Sequence, residues 1–223
     1  MSPEQLLKTL QFSDSLFPVG GFAYSDGLET AVTNGLVRNG ADLEQWLDHY
    51  IKSVFIPCEG LLLRRAIKAH SAGDWKTIVE LDTEFTALKL AAAVRASSAS
   101  LASNFARSVA AVHEHPEIER ARRELTNFAT VYAVVGSTLG LDTRDALLAF
   151  AYSRLAGTVS AALRLMQIGQ QQAQQTLGRA LQDVPEAVER IFESGDSELL
   201  SFSPLLDIQQ MNHRYVYSKL FRS

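Results

Sequence analysis

The side chains that could carry chemistry are few in this chain of 223 residues and are scattered along it. His113 and His115 flank Glu114, a grouping that could contribute to a metal site. Two residues two apart point to different sides of a helix, and a complete site needs further ligands that no nearby motif supplies. We interpret this pair as the polar end of a helix and predict no bound metal.

Motifs for covalent catalysis and nucleotide hydrolysis are missing from the sequence. The chain has no GxxxxGK segment, which would cradle phosphates, and no GxSxG turn, which would present a nucleophilic serine. The single cysteine, Cys58, has no histidine partner in its neighbourhood and forbids an internal disulfide. The residues therefore predict no reaction and no cofactor.

Composition describes an ordinary globular protein, with 47% hydrophobic and 21% charged residues. The net charge of −4 argues against a general nucleic-acid-binding protein, which would be basic. The N-terminus lacks the basic and apolar regions of a signal peptide, and we find no run of about 20 apolar residues. One cysteine suits a reducing compartment. We predict a soluble, cytoplasmic protein.

Residues 18–29, reading PVGGFAYSDGLE, predict a shaped loop that leads into a helix. Proline fixes one backbone dihedral, and adjacent glycines allow a left-handed path, so Phe22 and Tyr24 would point in a defined direction. The loop serves either local packing or partner binding. Its candidate binding residues are Pro18, Gly20, Gly21, Phe22, Tyr24, Gly27 and Glu29.

The last twelve residues, NHRYVYSKLFRS, mix aromatic and basic side chains and contain no acidic one. Tyrosine and arginine are enriched where partner proteins bind tightly. The tail either folds back on its own body or becomes ordered on a partner. Its candidate binding residues are Arg214, Tyr215, Tyr217, Leu220, Phe221 and Arg222.

Apolar residues recur at helical spacing along most of the chain, and no segment alternates as a strand would. We predict an all-α, single-domain bundle of roughly eight to ten helices over residues 1–195, followed by a C-terminal tail at 196–223. The clearest helices are expected at residues 42–56, ending near Pro57, and at 142–166. A last helix is expected to start at Pro185.

The helix predicted at 142–166 carries small side chains every four residues, at Ala149, Ser153, Gly157 and Ala161. Such a stripe, with Tyr152 beside it, allows another helix to approach closely. We expect it to pack inside the bundle or across a dimer.

Both ends and the middle of the chain resemble the urease accessory protein F family. The end motifs are LKTLQFSDSLFPVGGFAYSDGLETAV at residues 7–32 and SPLLDIQQMNHRYVYSKLFRS at 203–223. Between them, GSTLGLD, AYS and IGQQQAQQ occur in the order expected of the family. The chain departs from the usual family pattern at residues 94–97, at 154–158 and at Gln167.

This resemblance implies an all-helical urease accessory protein, a chaperone component that is not an enzyme. It implies binding to a second accessory protein of the D/H type through the N-terminal region and the tail. Together the two would recruit the G-type GTPase that delivers nickel to apo-urease. The family commonly dimerises.

Two other classes of protein remain open from the residues alone. A helical, ligand-responsive transcription regulator would need a basic recognition helix, whereas residues 18–29 are acidic. A helical enzyme could instead hold a small molecule in a pocket between Trp46, Trp75 and Phe128.

Overall fold

The computed structural model describes residues 2–14 and 17–222. Over these residues the chain forms eleven α-helices and no β-strand, which confirms the all-α prediction. The helices are α1 (Pro3–Ser13), α2 (Leu28–Thr33), α3 (Gly40–Tyr50), α4 (Gly60–Ser71), α5 (Trp75–Leu88), α6 (Ala92–Ala110), α7 (Pro116–Glu124), α8 (Phe128–Thr138), α9 (Thr143–Leu165), α10 (Gln170–Glu193) and α11 (Pro204–Asn212).

Several helices begin at polar side chains of the types that are favoured as N-terminal caps. The Ser2 hydroxyl accepts a hydrogen bond from the Gln5 amide, and the Gln5 side chain accepts one from the Ser2 amide. Asp142 accepts from the Asp145 amide at 2.9 Å and starts α9. Because each cap satisfies amides that lack an intrahelical acceptor, these residues fix where the helices start.

The helix predicted to end near Pro57 continues through it. Residues Ile51–Glu59 form a π-helical segment that joins α3 to α4, with the Gly60 amide bonded to the Phe55 carbonyl. Proline has no amide hydrogen and its ring crowds the preceding α-helical turn, and the wider π-helical turn accommodates it. A Cβ on Gly60 would lie 2.9 Å from the Phe55 oxygen, so the close approach here requires glycine.

The prediction that a helix starts at Pro185 is wrong, because Pro185 lies inside the continuous helix α10. An interior proline costs about 3 kcal/mol, but tertiary packing of an apolar face supplies most of a helix's stability. This face packs on α9 and α3. Its buried residues are Ala173, Thr176, Leu177, Ala180, Val184, Ala187, Val188 and Ile191.

Five aromatic rings fill the centre of the main core. Phe55 comes from the π-helical segment, Phe105 from α6, Phe128 and Tyr132 from α8, and Phe150 from α9. Ring centroids lie 5.2–5.8 Å apart in four of these pairs, within the range in which aromatic contacts are favourable. The core therefore ties the middle helices of the chain into one body.

By length and composition, α9 is the one helix in the described part of the chain that could span a membrane. This differs from the expectation that no segment is apolar enough over about 20 residues. Half of the most apolar stretch of α9 is buried inside the structure, as in the core helix of a soluble protein.

A smaller apolar cluster attaches the C-terminal segment to the body. It joins Leu28 of α2, Trp46 of α3, Ala162 of α9, Leu206 of α11 and Phe221. The connection before α11 is also held, since Lys68 binds Asp196 at 2.9 Å and His49 contacts the Ser203 hydroxyl at 2.7 Å. The division at residue 195 stays a prediction, and Ser223 lies outside the described residues.

Candidate partner-binding site

The loop before α2 takes the unusual backbone path that its glycines predict. Gly20 and Gly27 have φ values of 81° and 87°, whereas Gly21 does not adopt positive φ and starts a 3-10 turn. Helix α6 fixes the loop from below, because Asn104 donates to the Val19 carbonyl and Ser108 to the Pro18 carbonyl, each at 3.1 Å. The loop is therefore a fixed part of the body.

Gly27 is needed for two separate reasons. Its backbone is left-handed at the start of α2, a conformation that L side chains rarely adopt. A Cβ there would also lie 3.1 Å from Cγ of Gln210 and 3.3 Å from its amide nitrogen. The lack of a side chain at Gly27 therefore allows α11 to pack closely against the loop.

Glu29 joins the loop to the tail from inside the protein. Its carboxylate contacts Nε2 of His213 at 2.7 Å and accepts the amides of Leu220 at 2.6 Å and Phe221 at 3.3 Å. The residue is 2% exposed. The sequence pattern places Glu29 among the candidate partner-binding residues, whereas in the structure its carboxylate contacts the tail. Its sequence position next to a glycine loop gave no indication of this role.

The tail packs against the body instead of extending away from it. Phe221 is buried at 4% exposure, and the Arg222 amide donates to the Ala23 carbonyl at 2.8 Å. Arg164 of α9 covers the Phe221 ring at 4.3 Å and donates to the Phe22 carbonyl at 2.6 Å. Of the two arrangements that the sequence left open, the structure shows the tail folded back.

Exposed aromatic, apolar and basic side chains remain on the outside of this assembly. Phe22 is 74% exposed, Tyr215 69% and Leu220 59%, while Tyr217 is fully exposed. We call the set Phe22, Arg214, Tyr215, Tyr217, Leu220 and Arg222 the loop–tail surface; all six side chains are exposed. Large exposed apolar side chains close together are typical of protein-binding sites. Tyr24 is only half-buried, and Pro18 and Gly21 are exposed beside the surface.

A cavity of about 490 Å³ lies beneath the loop and between α9 and α11. Phe128 lines it, but Trp46 and Trp75 do not, so this cavity is not the pocket between those three residues that a helical enzyme could use. Trp75 instead donates its indole hydrogen to Glu124 at 2.6 Å on the surface. The two tryptophans lie on helices that pack against different neighbours. Trp75 is in α5, which packs on α4, and Trp46 is in α3, which packs on α10.

Burial shifts the pKa of two groups in the cavity wall. It lowers the pKa of the Lys89 ammonium to about 8, against the attraction of Glu59 and Asp82. It raises the pKa of the Cys58 thiol to about 12, with a further contribution from the negative charge of Glu59. Thiolates are the reactive form of cysteine, so Cys58 has the character of an inert core residue.

Arg154 of α9 is a half-buried charged residue that lines this cavity. Its guanidinium donates to the Asp26 carboxylate and its Nε lies 3.4 Å from Oε2 of Glu59. Burial lowers the pKa of Arg154, but the attraction of Glu59 and Asp26 outweighs that effect and raises the pKa well above its usual value. The loop, the π-helical segment and α9 therefore meet at a permanently charged group.

The stripe of small side chains on α9 divides between buried and open positions. Ala149 and Ala161 are buried, and Ser153 is half-buried. Gly157 is exposed with no atom within 4 Å of a Cβ built on it, so close packing inside the chain is wrong at this position. Tyr152 is 42% exposed on the same helix. The helix turns this side to the cavity and to solvent, and a dimer contact here stays a prediction.

The two clustered histidines both have structural contacts. The ring of His113 packs edge-on against Phe12 at 5.8 Å, and Nδ1 of His115 caps α7 by accepting the Glu117 amide. Across the described part of the chain, no three His, Cys, Asp or Glu side chains are grouped to hold a metal ion.

Comparison with known proteins places the chain in a family. A sequence model described as UreF matches residues 37–181. A urease accessory protein UreF from Polaromonas sp. is 31% identical over 98% of this chain and 94% of its own length. Proteins of the same name from Nitrosococcus oceani and Microcystis aeruginosa are 28% and 29% identical, over 96% and 100% of this chain and 97% and 100% of their own lengths.

The matched range of the family model includes neither the loop nor the tail. The relatives align across nearly the whole chain, and the alignment with the Microcystis aeruginosa protein includes both ends. The chain belongs to the UreF family of urease accessory proteins.

Proposed function

We propose that this chain bridges a D/H-type urease accessory protein and the G-type GTPase that delivers nickel to apo-urease. It would do so in the cytoplasm, as a non-enzymatic chaperone component. One observation carries the proposal: the loop and the tail, 192 residues apart at Glu29 and Phe221, are assembled on a single carboxylate. Aromatic and basic side chains of the loop and the tail remain exposed.

The candidate residues divide into two roles under this proposal. Phe22, Tyr215, Tyr217 and Leu220 would contact the D/H-type protein directly, because they are exposed. Gly20, Gly27, Glu29 and Phe221 would shape the surface from below, because they are buried or fix the backbone. Pro18, Gly21 and Tyr24 lie at its edge and complete the loop.

Arg222 supplies a positive charge at the edge of the loop–tail surface, where its side chain is exposed. We expect it to bind a carbonyl or carboxylate of the D/H-type protein. Arg222→Ala should then weaken binding by about 1–3 kcal/mol, the range for a charged hydrogen bond left unmade. Calorimetric titration measures this directly. Arg123→Ala, which removes an exposed arginine from α7, is the matched control and should bind as the wild type does.

A homodimer is the second assembly that we propose, with the open side of α9 around Tyr152 and Gly157 as its contact. Gly157 presents backbone without a side chain, which lets a neighbouring helix approach closely. Gly157→Leu should therefore halve the mass in solution without unfolding the chain. Light scattering that finds the same mass for both proteins would remove α9 as the contact.

We propose that the chain itself binds nickel weakly and hydrolyses no nucleotide. The histidines nearest to a metal-binding pattern, His113 and His115, are engaged in packing and capping. Calorimetry with nickel chloride should show no stoichiometric binding below micromolar concentration. Submicromolar binding that disappears on replacing both histidines would contradict this view.

Co-purification tests the proposed function as a whole. A tagged form of the chain is expressed together with the urease structural and accessory genes. We expect it to recover the D/H-type protein, the G-type GTPase and apo-urease, and to support nickel-dependent urease activity. Recovery of none of them, with a correctly folded chain, would refute the bridging role.

A further inference from the structure

Asp26 is the point at which the loop is tied to two helices. One oxygen of its carboxylate accepts a hydrogen bond from Arg154 of α9, and the other accepts one from Nε2 of Gln210 of α11 at 2.8 Å. The side chains of Asp26 and Arg154 are 29% and 23% exposed, so water screens this pair only in part. Asp26 therefore connects the loop to both α9 and α11.

Asp26 also has a backbone conformation that needs support. Its φ of 53° makes it the one residue other than glycine with positive φ in the part of the chain that the structure describes. Aspartate tolerates this region better than most residues, but the conformation persists only where the surroundings hold it. A backbone hydrogen bond from the Leu28 amide to the Ser25 carbonyl at 3.1 Å closes the turn around Asp26, and the two hydrogen bonds to its carboxylate fix its side chain. Gly27 and α2 follow at once, so the angle at Asp26 directs the entry into α2.

The π-helical segment explains how Glu59 reaches Arg154. Tyr50 donates its hydroxyl hydrogen to Glu59 at 2.6 Å, although the two residues are nine positions apart. In an α-helix nine residues make about two and a half turns, which would place these side chains on opposite faces. In the wider π-helical geometry nine residues make about two full turns, so the two side chains lie on the same face. Glu59 then lies against Arg154, with its Oε2 3.4 Å from Nε of the guanidinium.

We propose that Arg154 is a positioning residue that fixes the loop–tail surface from beneath. Its guanidinium is ion-paired with Glu59 and donates to Asp26. Through Asp26 it holds the loop and α11, and so sets the affinity for the partner. This inference rests on the proposed function for the identity of that partner. Arg154 is not one of the residues of the loop–tail surface defined above, and we infer that its effect is transmitted through Asp26.

The test compares two proteins that differ at Arg154 alone. Glu59→Gln keeps the guanidinium and an acceptor for Tyr50, whereas Arg154→Gln/Glu59→Gln removes the guanidinium without leaving Glu59 as an unpaired buried charge. Hydrogen exchange of the free proteins reports the loop and the tail through the amides of Ala23, Tyr24, Leu220 and Arg222, which are bonded within this assembly. Titration with the purified D/H-type protein reports Kd.

We expect the double variant to exchange these amides at least about tenfold faster than Glu59→Gln and to bind about tenfold more weakly, as loss of one charged hydrogen bond implies. Arg154→Lys, which keeps the charge, should recover much of both. Equal exchange in the two Gln variants would overturn the inference, as would fast exchange with unchanged Kd. If the wild type does not bind the D/H-type protein, the proposed function is refuted, and so is the predicted effect of Arg154 on affinity. The hydrogen-exchange rates then still decide whether Arg154 holds the loop.

Discussion

At the scale of single residues, Glu29 has the largest structural role in the candidate site. Glu29→Ala would leave the amides of Leu220 and Phe221 and the ring of His213 without their acceptor. Each buried polar group left unpaired costs about 1–3 kcal/mol, so we expect the free energy of unfolding to fall by at least that range.

Chemical denaturation measures this loss, and Glu44→Ala provides the comparison. Glu44 pairs with Arg179 at 2.8 Å, but both side chains are about half exposed. Exposed ion pairs contribute less than about 1 kcal/mol, so this variant should change stability little. Equal losses in the two variants would show that Glu29 is not the buried acceptor described above.

Lys89 gives the protein a pH dependence of known sign. Burial lowers its pKa in the folded protein to about 8, below the value of an unfolded lysine. The unfolded chain therefore binds more protons than the folded one above pH 8, and this group makes stability rise from there to about pH 10. Below pH 8 both states are charged at Lys89 and the dependence vanishes.

Lys89→Met removes this contribution. The difference in unfolding free energy between wild type and variant, measured by urea titration at each pH, should move in favour of the wild type between pH 8 and pH 10. Taking the difference cancels the opposite contribution of Cys58, whose pKa is raised to about 12. A difference that stays flat over this interval would mean that Lys89 is not held in a desolvated site.

At the scale of elements, two glycines that both lie in α-helices should respond to an added methyl group with opposite changes in stability. Gly157 lies in α9 with open space around it, so Gly157→Ala should stabilise the chain by roughly 0.5–1 kcal/mol. Gly60 follows the π-helical segment, where an added methyl would lie 2.9 Å from the Phe55 oxygen. Gly60→Ala should therefore destabilise the chain. Urea denaturation of the two variants side by side checks both signs, and a loss of stability at Gly157 would contradict the open position.

The sequence predicts where helices start better than it predicts whether a helix continues through a proline. Caps such as Ser2 and Asp142 act through local hydrogen bonds, so the chain itself marks where α1 and α9 begin. Pro57 and Pro185 look like breaks for the same local reason, yet both lie inside continuous helices. What keeps those helices intact is packing against distant elements, which no local pattern records.

The candidate site shows the same limit. The loop and tail residues could be singled out because their types are unusual, and the glycine conformations at Gly20 and Gly27 follow from local sterics. The roles of Glu29 and Arg154 could not be predicted, because each depends on a partner more than one hundred residues away, in the tail and in the loop.

At the scale of the whole molecule, the C-terminal segment is part of the folded body. We expect removal of residues 212–223 to abolish binding of the D/H-type protein and urease activation while the main core stays helical. The truncation removes the amides that donate to the Glu29 carboxylate, and it removes Phe221 from the apolar cluster around Leu28. We therefore expect α2 to become less stable as well. Circular dichroism and a pull-down check the two effects. Equal recovery of the partner by full-length and truncated protein would move the binding role to Phe22 and Tyr24.

The affinity of the chain for the purified D/H-type protein tests the central claim most directly. Tyr215→Ser/Tyr217→Ser removes two exposed rings without touching the Glu29 contacts. Val112→Ser removes an apolar side chain, 51% exposed, in the turn that follows α6. If the loop–tail surface is the docking site, the double variant should bind at least about 2 kcal/mol more weakly, and Val112→Ser should bind like the wild type. Equal Kd values for all three proteins would show that the partner binds elsewhere.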